Sequence, residues 1–139
     1  MSDEGGFDIY TDGASRGNPG HAAYAYLFVE GGAVVLEDSG YAGVTTNNTA
    51  EYLAITHALE AAAGRTAGDL SVYSDSELVV RQMNGEYRVN KEHLRELKAG
   101  VLALVGRFRS VRFVSVRRTN PHIAQADRLC NEELDRRGA

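Results

Sequence analysis

The chain has 139 residues, 43% of them hydrophobic and 24% charged, with a formal net charge of −4. That length and composition fit one globular domain; they exclude a coiled coil, a collagen-like rod, a membrane-spanning helix (no apolar run approaches about 18 residues) and a nucleic-acid binder held by bulk positive charge. A single cysteine, Cys130, excludes an internal disulfide framework and a cysteine-built zinc site, and the four histidines do not have the HExxH spacing.

Residues 1–6 read as a loose tail with no basic region and no apolar run, so the expected compartment is the cytoplasm. Phe7–Asp12 alternates apolar and polar residues and reads as a strand ending at a Gly turn. Gly13–Gly20 (GASRGNPG) has loop composition. His21–Val29 reads as a second strand, with Tyr24, Tyr26 and Phe28 on one face and Ala23, Ala25 and Leu27 on the other. Gly31-Gly32 turns the chain into a third strand over about Val34–Tyr41. The period then changes. Tyr52, Ile55, Leu59 and Ala62 recur at helical spacing, Asn48 and Glu51 match a capping box, and Gly64 ends the helix. Leu70–Ser74 is a short strand, and Asp75 opens a helical stretch that stops at Gly85. The stripe Leu94, Leu97, Val101, Leu104, Val105 and Phe108 predicts a helix over about 91–106. Val111–Val116 alternates as a fifth strand, and Ala124–Arg137 is helical with Leu129 and Leu134 inward and Cys130 as a small core residue.

The order βββαβααβα over residues 1–139 predicts a single α/β domain with a five-stranded mixed sheet, order 3-2-1-4-5, and helices on both faces. Right-handed crossovers put the first strand centrally beside the fourth. Charge is unevenly spread. No acid occurs between Glu96 and Asp127, a stretch holding Lys98, Arg107, Arg109, Arg112, Arg117 and Arg118. This is either a solvated basic face or a track for a polyanion.

Four carboxylates stand at element junctions: Asp12 at the end of the first strand, Glu51 in the first turn of the first helix, Asp75 directly after the fourth strand, and Asp127 early in the last helix. Each also has a plain local role, as turn residue, capping partner, N-cap or helix-start acid. Adjacent parallel strands would bring Asp12 and Asp75 together at the sheet edge where open α/β sheets build sites, and Glu51 can reach the same point. Clustered carboxylates repel one another unless neutralised, and hard oxygen ligands suit Mg²⁺ or Mn²⁺.

Tyr10-Thr-Asp-Gly13, Gly17-Asn-Pro-Gly20, Thr45-Thr-Asn-Asn-Thr-Ala-Glu51, Tyr73-Ser-Asp-Ser76 and Ala126-Asp127 resemble, in order, the motifs of type 1 ribonuclease H. The resemblance runs from Phe7 to the last helix. It implies a ribonuclease H-like fold, with Asp12, Glu51, Asp75 and Asp127 as a catalytic metal-binding quartet for Mg²⁺ or Mn²⁺, two ions acting with substrate bound. The implied reaction is endonucleolytic cleavage of the RNA strand of an RNA–DNA hybrid, leaving 5′-phosphate and 3′-hydroxyl ends. The implied hybrid contacts are Gly13, Arg16, Asn18, Asn47 and Asn48, with Thr46 similar to the residue that holds a DNA phosphate. Backbone amides and short polar groups there suit reading of 2′-hydroxyls. Double-stranded RNA is a further possible substrate, and a monomer is expected.

The chain departs from the family in two places. Gly85-Glu-Tyr-Arg-Val-Asn90 joins the second and third helices directly, with no Trp- and Lys-rich protrusion, which resembles the handle-less archaeal and short bacterial group. Before the last acid, Arg117-Arg-Thr-Asn-Pro-His122 fits neither of the family's usual spacings, so His122 and Arg118 compete for a role in proton transfer or product release. Other classes fit less well. A silent binding module gains nothing from acids facing a phosphate backbone, and resolvases, integrases and sugar-kinase-like enzymes need further domains.

Overall fold

The alternating first third of the chain becomes three long antiparallel strands in the computed structural model, which describes residues 6–139; residues 1–5 of the expected tail lie outside the described residues. The strands β1 (Phe7–Gly17), β2 (Gly20–Glu30) and β3 (Ala33–Thr45) lead into α1 (Asn47–Ala63), β4 (Asp69–Ser74), α2 (Glu77–Met83), α3 (Glu92–Val105), β5 (Ser110–Ser115) and α4 (Pro121–Arg136). One five-stranded sheet has the expected order β3-β2-β1-β4-β5. β1 is antiparallel to β2 and parallel to β4, and β4 is parallel to β5.

The period-2 pattern of β2 divides the core. Tyr26 and Phe28 face a large apolar cluster with Ile9, Tyr52, Ile55, Leu59, Val72, Val101 and Phe113, built between the sheet, α1 and α3. Ala23 and Ala25 face a smaller cluster with Ala126, Cys130 and Leu134 of α4. Removing one fully buried ring such as Phe28 would cost about 3–5 kcal/mol. α1 is apolar on more than one side because it is packed against both the sheet and α3. Within it the Tyr52 hydroxyl donates to Gln82 Oε1 at 2.7 Å, so the polar end of a buried ring is satisfied. Among the described residues no helix is long and apolar enough to cross a membrane.

Several local expectations are corrected. Gly13–Gly17 is strand, not loop, and Asp12 therefore does not end β1. These residues pair with Gly20–Tyr24 of β2, and the ladder overrides the turn-like composition. β3 likewise runs past Tyr41 to Thr45. The α1 cap is Thr46, whose side chain accepts from the Thr49 amide, so Asn48 and Glu51 form no capping box. Asp75 caps nothing: Ser76 caps α2 by accepting from Val79 N. α4 starts at Pro121 rather than Ala124, because Asn120 Oδ1 accepts from the amides of His122 and Ile123; His122 is thus helical and not a loop residue. Gly6, assigned to the tail, lies against the Asp69 backbone, where an added Cβ would sit 1.4 Å from the Asp69 carbonyl oxygen.

Candidate active site

Gly13 determines how close α1 comes to β1. A Cβ at this position would sit 2.3 Å from the Ala50 carbonyl carbon and 2.4 Å from Glu51 N, both backbone atoms. Only glycine allows the helix to cross the strand so closely. The approach delivers Glu51, which is buried and accepts a hydrogen bond from Gly13 N through Oε1 at 3.0 Å. Asp12, one residue earlier on β1, is buried as well. Asp75 follows β4, the parallel neighbour of β1, and is partly buried. One carboxylate oxygen from each of Asp12, Glu51 and Asp75 lies within 4.8 Å of the other two.

Asp127, exposed in the second turn of α4, lines the same cavity of about 420 Å³ but stands outside that tight trio. Burial is the largest influence on all three clustered acids. It pushes Asp12 up to about 8, helped by the negative charges of Asp75 and Asp127. It drives Glu51 well above the usual carboxylate range, with Asp12 and Asp75 adding to the effect and the Gly13 amide opposing it. It also raises Asp75, against the opposing charge of Arg118. Asp12 Oδ2 is buried with no hydrogen-bond partner among the described residues. An orphaned carboxylate oxygen inside a cluster of acids fits a hard divalent cation, which neutralises the charges and takes oxygen ligands.

The other expected site residues divide. Gly13, Asn47, Asn48 and Arg118 line the cavity; Arg16, Asn18, Thr46 and His122 do not. Arg118 Nε approaches Asp75 Oδ2 at 3.8 Å while its side chain stays 89% exposed. Arg16 is turned to the C-terminal end of the chain. It ion-pairs with Asp135 at 2.8 Å and donates to the Ala139 carbonyl and to Asn131. Asn18 Oδ1 accepts from Asn47 N at 3.0 Å and so ties the β1–β2 turn to the start of α1. Thr46 is engaged in capping, and its partner Thr49 has its hydroxyl 3.2 Å from His93 Nε2. His122 packs its ring on Tyr10. Three lining residues escaped the sequence reading: Ala14, Ser15, whose amide and hydroxyl both donate to Asn47 Oδ1, and Ser76. Ser76 lies inside a motif quoted above and Ala14 and Ser15 fall between two of them, but nothing local separates these residues from ordinary turn residues.

With this geometry in view, the comparisons with known proteins are specific. The family model described as RNase H matches residues 5–135. Ribonuclease HI of Halobacterium salinarum is 41% identical over 135 residues, covering 96% of this chain and 67% of that protein. A bifunctional protein of Mycobacterium tuberculosis is 39% identical over 91% of this chain, which spans only 35% of its length. Among solved structures, RNase H1 from Halobacterium salinarum superposes with a TM-score of 0.90 at 40% identity, covering 95% of this chain and 99% of that one. LC11-RNase H1, crystallised in complex with an RNA/DNA hybrid, superposes with a TM-score of 0.88 at 37% identity, covering 96% of this chain and 99% of that one.

Proposed function

The chain belongs to the RNase H family, and from that premise we propose that it is a divalent-metal-dependent endonuclease cutting the RNA strand of RNA–DNA hybrids. The observation that carries the reading is the convergence of Asp12, Glu51 and Asp75 from three separate elements, with an unpartnered buried oxygen among them. In this reading Asp12, Glu51, Asp75 and Asp127 hold Mg²⁺ or Mn²⁺. Two such ions supply activation of a water and stabilisation of the leaving oxygen of a phosphodiester, giving 5′-phosphate and 3′-hydroxyl ends.

The chain's own residues account for the rest. Glu51 is fixed by the Gly13 amide on Oε1 and brings a carboxylate oxygen to the cluster. The polar wall of Ser15, Asn47 and Asn48 supplies short donors and acceptors for 2′-hydroxyls beside the carboxylates. Arg118 carries a solvent-exposed positive charge next to Asp75, suited to releasing the product phosphate. Asp12, Glu51, Asp75 and Asp127 line one cavity of one chain, which supports a single catalytic unit over residues 1–139 that needs no residue from a second copy.

The deciding experiment follows labelled strands of an RNA–DNA hybrid, a double-stranded RNA and a DNA duplex with Mg²⁺, with Mn²⁺ and with EDTA. Cleavage of the RNA strand of the hybrid alone, lost in EDTA, is expected. Cleavage that persists in EDTA, or an intact hybrid in both metals, would overturn the assignment; cutting of double-stranded RNA would widen the substrate class.

A further inference from the structure

Tyr10 and Tyr73 face each other in register on β1 and β4, their rings stacked with centroids 4.6 Å apart and planes at 15°. They are the last rung of that parallel ladder. Beyond it β1 continues beside β2 alone, and β4 ends at Ser74. Each tyrosine stands two residues before a clustered carboxylate, Tyr10 before Asp12 and Tyr73 before Asp75. The row continues, since the His122 ring lies 4.7 Å from Tyr10 at 47°. His122 is in the first turn of α4, anchored by Asn120 and five residues ahead of Asp127. Three touching rings therefore link the three elements that carry Asp12, Asp75 and Asp127.

Something must hold those elements at fixed spacing, because the acids repel one another and the backbone ladder stops short of them. The polar ties near this level are scattered single bonds: the Thr11 hydroxyl to the Tyr73 carbonyl at 3.3 Å, the Cys130 thiol of α4 to the Asp12 carbonyl at 3.5 Å, and Val116 N to the Ser74 carbonyl at 2.9 Å. Rings in contact resist both closing and splaying, which polar surface groups do not. Resting on the metal-dependent reading above, we infer that the Tyr10–Tyr73–His122 row is a positioning device that sets the carboxylate spacing for divalent ions. His122 is then a positioning residue acting through its ring, not a proton carrier.

The test is calorimetric titration of Mn²⁺ into the full chain without substrate, paired with the Mg²⁺ dependence of hybrid cleavage. Y10A, Y73A and H122A should each weaken Mn²⁺ binding about tenfold, while Y10F, Y73F and H122F stay within about twofold of the parent, as expected for neighbours that orient metal ligands. The Mg²⁺ concentration for half-maximal cleavage should move by the same factor, with kcat recovered at saturating metal. Should an alanine variant fail to fold by circular dichroism, Tyr73→Leu keeps the apolar bulk without the flat ring and should show the same weakening. Folded alanine variants with the parent's Mn²⁺ affinity would overturn the inference. So would phenylalanine variants as weak as the alanine ones. An H122F that keeps metal affinity but loses kcat would return His122 to proton transfer. A parent chain that binds no Mn²⁺ at millimolar concentration would bring down the metal reading itself, and the inference with it.

Discussion

Asp12 and Asp75 differ in what surrounds them, and the difference predicts how substitution behaves. Asp12 is buried with one oxygen unpartnered, so Asp12→Asn removes a charge the fold does not compensate. This variant is expected to lose cleavage while its metal-free thermal midpoint at pH 8 rises above the parent's. A midpoint that falls, or cleavage at the parent rate, would contradict the proposed role. Asp75 already has Arg118 beside it, so Asp75→Asn should also lose cleavage but shift the midpoint less. Arg118 lowers the proton affinity of Asp12, Glu51 and Asp75. Arg118→Ala should therefore move the acid limb of the pH–rate profile to higher pH, and an unmoved limb would show that the exposed guanidinium does not act on the cluster. These acids were legible as candidates because aspartates and a glutamate at element junctions are hard to read as filler. What the letters could not carry was burial. Arg16, equally prominent in its motif, is bound to Asp135 and the chain end, and no local pattern separates it from a ligand-facing arginine.

At the scale of elements, the site depends on how α1 seats on β1. Gly13→Ala would press a Cβ onto the Ala50 and Glu51 backbone, which cannot yield as a side-chain tip can. The expected cost is about 1–3 kcal/mol in a urea titration, with loss of cleavage from displacement of Glu51. A stable, active Gly13→Ala would refute the close seating. Thr46→Ala should cost about 1 kcal/mol through the lost cap, read by the same titration. Had Asn48 been the cap, as the spacing to Glu51 predicted, that substitution would be nearly neutral. The element list was legible almost completely, since hydrophobic period is a local property. Boundaries were missed where long-range pairing decided them. Gly13–Gly17 has turn composition yet is strand because β2 pairs with it, and α4 begins three residues early because Asn120 caps it.

For the whole molecule, the acid cluster couples stability to pH and to metal. In the metal-free folded state Asp12 keeps its proton up to about pH 8, whereas in the unfolded chain it is released near pH 4. Between those values the folded state binds more protons than the unfolded one, so stability falls as pH rises and levels off above about 8. Glu51, raised by the same burial, contributes with the same sign. Urea midpoints in EDTA should therefore decline from pH 5 to pH 8, and Mg²⁺ or Mn²⁺ should reduce the decline because ions bind only the assembled site. A midpoint flat or rising with pH in EDTA would contradict a carboxylate cluster held without a counter-ion. The sequence by itself determined the order of elements and the α/β class, because periodicity and turn chemistry act over a few residues; crossover handedness then yielded the sheet order, and motif resemblance marked four acids as candidates. Only the tertiary structure decided which of those acids lose water, that Glu51 binds the Gly13 amide, and that Tyr10, Tyr73 and His122 stack. Each depends on contacts between segments dozens of residues apart, where desolvation and close packing are created by the fold.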